Sequence, residues 1–288
     1  MFRVLTATLI TVSLFAGSTP GAGARAVAGA SGSTVRVADG DTIVAVVGGV
    51  EERVRFLNID TPEVGRCLAG AATKFTSSRL PEGGAIELGY DRDLRDPYER
   101  LLAMVRPAGG TWLSVDLAAE GLGFPLTVAP NTAYKSAVET ASSTARRRGV
   151  GLFDPTLPCT PIARAETARG FVGRAQSMPA GTQAQFHAVN GVLDRAGKRL
   201  ELLVPMQYGI VTPSFRAWLM ALKRPVLASI KTVRASKAQQ WKNAQKAASE
   251  SSSNGDNTSS GGWWPPGVPR NYTGPRCYEP GGVIWYPC

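Results

Sequence analysis

Histidine is almost absent from this chain of 288 residues, which contains only His187. The four cysteines form no CxxC motif and no Cys/His pattern, so the usual ligand sets of a zinc site are missing. Beyond Ala16, no apolar run is long enough to form a transmembrane helix. The sequence therefore argues against a zinc site and against a membrane-spanning segment in the mature chain.

Acidic residues are scarce in one long region of the chain. Residues 161–250 hold 14 Lys and Arg against 4 Asp and Glu, a net charge of +10, whereas residues 31–160 hold 14 against 16, a net charge of −2. A basic surface favours polyanionic partners such as nucleic acid or anionic wall polymers. Since 43% of the residues are hydrophobic, the chain is able to build one or two domains with real cores, and wholesale disorder is excluded.

The N-terminus has the pattern of a secretory signal peptide. Arg3 supplies a positive charge, and Val4 to Ala16 is an apolar run of 13 residues, short for a bilayer. Ala22-Gly23-Ala24 and Ala28-Gly29-Ala30 are candidate cleavage sites. We therefore predict a signal peptide over residues 1–30 and a secreted, extracellular protein; the alternative is an uncleaved membrane anchor.

The four cysteines suit an exported protein, in which disulfides persist. Four cysteines allow three connectivities. We favour pairing within each proposed region, which gives Cys67–Cys159 and Cys277–Cys288.

Two acidic clusters flank a pair of alternating apolar runs. The runs, Thr42 to Val47 and Arg53 to Ile59, predict adjacent strands. Gly48-Gly49 lies between the two runs and predicts a tight turn that joins them in a hairpin, because glycine tolerates positive φ. Such a hairpin would bring the flanking acidic clusters to one rim of the fold.

The side chains gathered at that rim would suit a hard cation and a phosphate. Asp41 and Asp60 would supply two carboxylates and Glu63 a third, while Arg55 would point to the same rim. Carboxylate oxygens suit Ca²⁺, and guanidinium groups bind phosphate through paired N–H groups.

The rest of this region alternates short strands and helices. Further strands are predicted over residues 85–90 and 101–105, and helices over 69–80, 113–120 and 132–148, the last with Asn131 as its cap. Five short strands with two or three helices fit a small α+β barrel.

Several motifs, in order, resemble the thermonuclease or staphylococcal nuclease-like family. They are Asp39-Gly40-Asp41-Thr42, Val54 to Glu63, Asp96 to Ala103, Asp116 to Gly123, and Gly149 to Phe153. The resemblance covers about residues 33–160. It implies a five-stranded OB-fold barrel with three helices and calcium-dependent cleavage of phosphodiester bonds in DNA or RNA, leaving 3′-phosphate ends.

The resemblance also implies roles for six residues. Asp41, Asp60 and the Thr61 carbonyl would bind Ca²⁺, and Arg55, Glu63 and Arg100 would be catalytic. The residues fit this chemistry. A phosphodiester is an anion, so attack on it by water requires neutralisation of the phosphate charge and a base that activates the water.

Each motif also has a simpler interpretation. Asp39-Gly40-Asp41 is also typical of an Asx turn, and Thr61-Pro62-Glu63 of a helix start. Arg55 could pair with Glu51 or Glu52 on the surface, and Arg100 could pair with Asp96.

The sequence departs from the family pattern in two places. Glu99 stands where a glycine usually precedes the second arginine, and Leu126, Thr127 and Val128 replace aromatic residues. Weaker base stacking is expected there, which bears on substrate preference rather than on the chemistry.

The remainder of the chain matches no family motif. Alternating runs over residues 185–193 and 199–204 predict a β-hairpin, and residues 214–222 and 236–248 look helical, which suggests a small basic α+β extension over 161–248. It could bind nucleic acid or anionic cell-wall polymer, or be a solvated appendage without a specific partner.

The chain ends in a predicted Ser/Gly linker, residues 249–262, and an aromatic, cysteine-containing tail, residues 263–288. The tail could bind sugars or bases, or pack on itself. Taken together, the sequence predicts a secreted, monomeric, calcium-dependent nuclease; the alternatives are a non-catalytic OB-fold protein that binds nucleic acid and a wall-associated binding protein.

Overall fold

The computed structural model describes residues 29–255, 264–269, 271–279 and 285–288. The predicted signal peptide lies outside the described residues, except for its last two positions. Of the helices within the described ranges, none is both long and apolar enough to cross a membrane.

Five strands close into a barrel, as predicted. They are β1 (Ala30–Val37), β2 (Thr42–Val47), β3 (Val50–Phe56), β5 (Ala85–Gly89) and β6 (Leu101–Pro107), in the spatial order β1-β2-β3-β6-β5. Neighbouring strands are antiparallel except β3 and β6, which are parallel, and β1 pairs with β5 to close the barrel. The predicted turn between β2 and β3 is confirmed, since Gly48 and Gly49 have φ of +59° and +86°.

A short ladder lies beside the barrel. Its strands are β4 (Ile59–Asp60) and β7 (Phe124–Pro125), with Asp60 opposite Phe124. Three helices complete this region: α1 (Ala69–Arg79), α2 (Leu113–Ala119) and α3 (Lys135–Arg148). The OB-fold barrel with three helices is therefore confirmed.

The predicted cap of α3 is wrong. The helix begins at Lys135 after Tyr134, and the Asn131 side chain instead bonds to the backbone of Asp93, accepting its N–H at 2.8 Å and donating to its carbonyl at 2.9 Å. An Asn side chain can bond to the backbone of its own helix or of another segment, and here it bonds to the loop that contains Asp93. The predicted end is correct, because Gly149 closes the helix with φ +65°.

The extension is helical, and the predicted β-hairpin is wrong. Its helices are α4 (Pro161–Ser177), α5 (Gln183–Glu201) and α6 (Pro213–Gly255). The buried apolar residues of α5 recur at helical spacing and not at the two-residue spacing of a strand: Val189, Val192, Leu193, Ala196 and Leu200. A capping box at Thr182 and Gln185 fixes where α5 begins.

One long helix replaces the two helices predicted near the end of the extension. α6 runs through Pro225 and continues to Gly255. The first residues of the predicted linker are therefore helical, and residues 256–262 lie outside the described ranges.

Both predicted disulfides are present. Cys67–Cys159 joins the loop before α1 to the start of α4, and Cys277–Cys288 closes the tail, where β8 (Arg276–Tyr278) pairs with β9 (Trp285–Pro287). Within the described part of the tail, Trp285 is buried against Trp264 with ring centroids 4.8 Å apart. This packing favours the interpretation that the tail packs on itself.

Candidate active site

The site lies where β2 begins and β4 ends. Backbone pairing sets Thr42 opposite Arg55, so the guanidinium on β3 reaches over the acidic turn that precedes β2. Arg55 Nη1 lies 2.8 Å from Asp41 Oδ2, and Arg55 Nη2 lies 2.8 Å from Asp60 Oδ1. Nη1 also donates to the Ile59 carbonyl at 2.9 Å. The fold therefore brings these three side chains together, as predicted.

The acidic turn is both an Asx turn and part of the site. The Asp41 N–H donates to Asp39 Oδ1 at 3.1 Å, and the Thr61 N–H donates to Asp41 Oδ2 at 2.6 Å. Gly40 is required here, because a β-carbon on it would lie 2.7 Å from both Thr61 Oγ1 and Ala72 Cβ. Thr61 does not start a helix, since α1 begins only at Ala69.

Burial disfavours the ionised form of the two carboxylates. Asp41 and Asp60 are only 5% and 8% exposed. Burial raises the pKa of Asp41 to about 7, although Arg55 opposes the shift. Burial also raises the pKa of Asp60, against the influence of Arg55 and of the nearby Val211 N–H. When both acids are ionised, they face only one guanidinium and carry a net negative charge, which a bound cation would neutralise.

The donor set fits a hard cation. The described residues contain no group of three or more His, Cys, Asp or Glu side chains spaced to hold a metal ion. A cation would therefore rest on the carboxylates of Asp41 and Asp60 together with neutral oxygens, for which the Thr61 carbonyl is the adjacent candidate. Such all-oxygen sets suit Ca²⁺, which also accepts water ligands.

Glu63 and Arg100 lie near the same carboxylates. Both act electrostatically on Asp60, with Glu63 raising and Arg100 lowering its pKa. Glu63 is exposed to solvent. Arg100 donates from Nε to Asp96 Oδ2 at 2.6 Å. The ion pair with Asp96 considered as its simpler interpretation is therefore present, and Arg100 still lies at the site. The five site side chains predicted from sequence therefore share one neighbourhood.

Arg55 does not make the surface pair considered as its simpler interpretation. The carboxylate of Glu52 is bound instead by Arg95, whose Nη2 lies 2.6 Å from Oε1.

A cleft of about 620 Å³ opens beside Arg55 and Arg100. Tyr98, which is 81% exposed, and the aliphatic residues Leu126 and Val128 line it. Leu126 and Val128 offer apolar contact but no ring, whereas Tyr98 presents an aromatic ring to the same cleft.

Glu99 adopts a backbone conformation that favours glycine. Its φ is +61°, at the turn before Arg100. Glu99, where the family pattern has glycine, therefore introduces backbone strain at this turn.

The loop between α5 and α6 makes a contribution to the site that no sequence motif indicates. Gly209 packs against Glu63, and the Val211 amide lies near the Asp60 carboxylate. Gly209 contributes by having no side chain and Val211 by its backbone N–H. Neither feature depends on a recognisable sequence motif, so no local signal identifies these residues.

Fold and site first define a class of protein. A closed five-stranded barrel of this order is an OB fold, whose surface commonly binds oligonucleotides or oligosaccharides, and here it carries a carboxylate and arginine site suited to a cation and a phosphate.

Comparison with known proteins then identifies the family. The model described as "Staphylococcal nuclease homologue" matches residues 53–154. The chain is 35% identical over 125 residues to a thermonuclease of Staphylococcus intermedius, an alignment that covers 41% of this chain and 73% of that protein. A thermonuclease of Staphylococcus hyicus is 32% identical over 119 residues, with 39% and 69% covered. The endonuclease YncB of Bacillus subtilis (strain 168) is 37% identical over 106 residues, with 34% and 50% covered.

This protein belongs to the staphylococcal nuclease homologue family. The match to the family model ends at residue 154. The helical extension lies beyond it, so its contacts with the site fall outside the matched region.

Proposed function

We propose that this protein is a nuclease that hydrolyses phosphodiester bonds of DNA or RNA with the help of Ca²⁺ and leaves 3′-phosphate ends. The observation that carries the proposal is the placement of Arg55 between the buried carboxylates of Asp41 and Asp60, with Glu63 and Arg100 acting on the same carboxylate. Membership of the family and the names of the relatives support it.

The chain's own groups divide the chemistry between them. Asp41, Asp60 and the Thr61 carbonyl would hold Ca²⁺, which supplies positive charge at the non-bridging oxygens. Arg55 and Arg100 would donate paired N–H groups to the phosphate as negative charge develops. Asp96 holds the Arg100 guanidinium through its Nε, which orients the terminal nitrogens.

Glu63 would act on the attacking water. Its carboxylate is exposed beside the buried pair, so water reaches it, and it would orient the nucleophile or accept its proton. The buried carboxylates are poor candidates for this task, because the cation would occupy their oxygens.

Digestion of single- and double-stranded DNA and of RNA tests the proposal. We expect cleavage with Ca²⁺ and none with a chelator. Glu63→Gln and Arg100→Ala should each reduce kcat by about 100-fold or more. Arg106→Ala is the matched control, because Arg106 pairs with Glu87 on the barrel away from the site and should remain active. Binding without cleavage under all conditions would show instead a non-catalytic nucleic-acid-binding protein.

The basic extension would hold polyanions near the site. Exposed cations lie along α6: Arg216, Arg224, Lys231, Arg234, Lys242 and Lys246. Their binding to nucleic acid should weaken as salt rises, through counterion release. Retention by isolated cell wall but not by DNA at equal ionic strength would identify an anionic wall polymer as the partner instead.

We also propose that the mature protein is secreted and monomeric. Two disulfides are typical of proteins in oxidising compartments. Ala30 already pairs with Leu88 in the barrel, which favours cleavage at Ala22-Gly23-Ala24 over cleavage after Ala30. N-terminal sequencing of the exported protein and light scattering would test both points.

A further inference from the structure

The loop between α5 and α6 runs along the edge of the candidate site. We call residues Tyr208–Thr212 the strap. Tyr208 and Ile210 are completely buried in the extension, and Thr212 is 3% exposed. Gly209, between these two buried residues, lies instead against Glu63 of the barrel region, and Val211 exposes its side chain to solvent.

Gly209 touches the Glu63 side chain at its base. A β-carbon at position 209 would lie 2.4 Å from Glu63 Cγ, 2.5 Å from its Cβ and 2.8 Å from its backbone nitrogen. None of these atoms is the free end of a flexible side chain, so any larger residue must displace Glu63 or the strap. Because the exposed carboxylate of Glu63 extends beyond this contact, the strap fixes its stem and leaves its oxygens accessible to solvent.

Val211 lies near Asp60 through its backbone. Its N–H is close enough to the Asp60 carboxylate to lower the pKa of that group, while its side chain is 61% exposed. The contribution of this residue thus comes from its amide and not from its side chain. Hydrogen bonds to a metal-binding carboxylate orient its oxygens and are part of how such sites are built.

The strap is attached to rigid parts on both sides. Thr212 Oγ1 accepts the Phe215 N–H at 3.0 Å, which caps the start of α6, and Ser214 Oγ donates to the Pro125 carbonyl at 3.2 Å. Phe215 packs on Phe124 with ring centroids 5.0 Å apart, and Phe124 is the β7 partner of Asp60. The extension therefore reaches Asp60 through two routes, the Val211 amide and the β4–β7 ladder.

A covalent bond ties the other side of the site to the extension. Cys67 follows Glu63 in the same loop, and its disulfide to Cys159 joins that loop to the start of α4. The Arg66 N–H also donates to the Glu63 carbonyl at 2.9 Å, so a tight turn links Glu63 to the disulfide. Glu63 is thus held between the disulfide and the strap.

We propose that the strap is a positioning element of the active site, which fixes Glu63 through Gly209 and Asp60 through the Val211 amide. The inference rests on the proposed nuclease function. It makes the helical extension a structural part of the catalytic centre as well as a basic surface.

The sharpest test compares two glycines with the same backbone conformation. Gly209 and Gly109 both have φ +69°, but a β-carbon on Gly109 would meet nothing within 4 Å. Gly209→Ala and Gly109→Ala in the full chain should therefore suffer the same backbone strain, and only Gly209→Ala adds a clash with Glu63. Both are assayed at a temperature at which circular dichroism shows them fully folded. Only Gly209→Ala should lower kcat, by about 10-fold to 100-fold, since small displacements of catalytic groups have effects of this size. The KM for DNA should change little.

A double-substitution cycle shows whether Gly209 acts through Glu63. In a Glu63→Gln background the carboxylate is already lost, so Gly209→Ala should reduce kcat by less than about threefold more. A general folding defect would instead multiply the two losses, because it does not act through the Glu63 carboxylate. Equal kcat for the two alanine variants, or a higher kcat for Gly209→Ala, would overturn the proposal.

The contact with Asp60 is tested without measuring activity. Val211→Pro removes the amide proton, whereas Val211→Ala keeps it and is the control. By calorimetry, Val211→Pro should bind Ca²⁺ about 10-fold more weakly than Val211→Ala, the lower end of effects seen for such partners. Equal Kd values would remove the role assigned to Val211. If the wild-type protein never cleaves nucleic acid, the proposed function is wrong, and this calorimetric comparison still decides whether the strap orients Asp60.

Discussion

The barrel and the helical extension handle charge in opposite ways. The barrel region carries a net charge of −2 and buries its key carboxylates around Arg55, whereas residues 161–250 carry +10 spread over exposed side chains. Buried charges are little screened and require fixed partners, whereas exposed charges are screened by salt and act collectively. The barrel is thus suited to local chemistry, and the extension to holding a polyanion.

The two regions are nevertheless joined where the chemistry would occur. One hydrophobic core contains Phe124 and Phe153 of the barrel region together with Phe215 and residues of all three extension helices. Trp218 stacks on Phe124 at 5.5 Å between centroids. A division by charge therefore does not imply a division into independent units.

Removal of Arg55 should have the largest effect on stability. Arg55→Ala leaves Asp41 and Asp60 buried together without a countercharge, and breaking a buried ion pair typically costs about 3–5 kcal/mol. Arg234→Ala in the extension is the control, because its pair with Asp194 is exposed and should contribute at most about 1 kcal/mol. Urea unfolding at neutral pH without Ca²⁺ measures both. Equal losses in the two variants would mean that burial does not distinguish the two regions.

Truncation of the aromatic contact between the regions should affect both stability and activity. Phe215→Ala removes a fully buried ring packed on Phe124, at an expected cost of about 3–5 kcal/mol. Leu200→Ala creates a cavity within α5, which lies away from the barrel contacts, and should cost about 2–5 kcal/mol.

At a temperature where both of these variants remain folded, only Phe215→Ala should lose activity, because only it loosens the strap and β7. Circular dichroism establishes the folded fraction, and DNA cleavage is then measured on each variant. If Phe215→Ala keeps full activity, the barrel functions independently of the extension.

The metal-free barrel should lose stability as the pH rises from about 4 to about 7. The pKa of Asp41 is 3.8 when unperturbed and about 7 in the fold, so the folded state binds a proton that the unfolded state has released in this window. The raised pKa of Asp60 acts in the same direction. Asp41→Asn should flatten the profile, and saturating Ca²⁺ should do the same, because ligation favours the ionised carboxylate. A wild-type profile that rises across this window would contradict the assignment.

The smallest effect is expected at Glu99. Because its φ of +61° is costly for any residue with a β-carbon, Glu99→Gly should stabilise the protein by about 1 kcal/mol. Glu99→Ala removes the same carboxylate but keeps the strain, so it should give no such gain. Thermal unfolding of the two variants separates backbone strain from charge. Equal melting temperatures would show that strain at this turn is relieved in another way.

Local signals in the sequence were sufficient for the barrel and for its candidate site. The alternating runs, the Gly48-Gly49 turn and the acidic clusters are patterns of neighbouring residues, and a hairpin closed by a two-residue turn brings Asp41 and Asp60 together. The disulfides followed from a choice among three connectivities, guided by the proposed regions.

The extension could not be predicted in the same way. The apolar residues of α5 suited either a strand or a helix over short stretches, and packing against α4 and α6 decided the matter. Where α3 begins was likewise decided outside the helix, by the bonds between Asn131 and Asp93.

The sequence by itself determined the barrel, the rim on which the acidic and arginine side chains meet, and the opposite charge of the two regions. The tertiary structure alone decided that Gly209 would rest on Glu63 and that the Val211 amide would lie near Asp60. The physical reason is that a side chain's chemistry is written in the sequence, whereas the value of a backbone N–H or of an absent β-carbon depends on what long-range packing places against it.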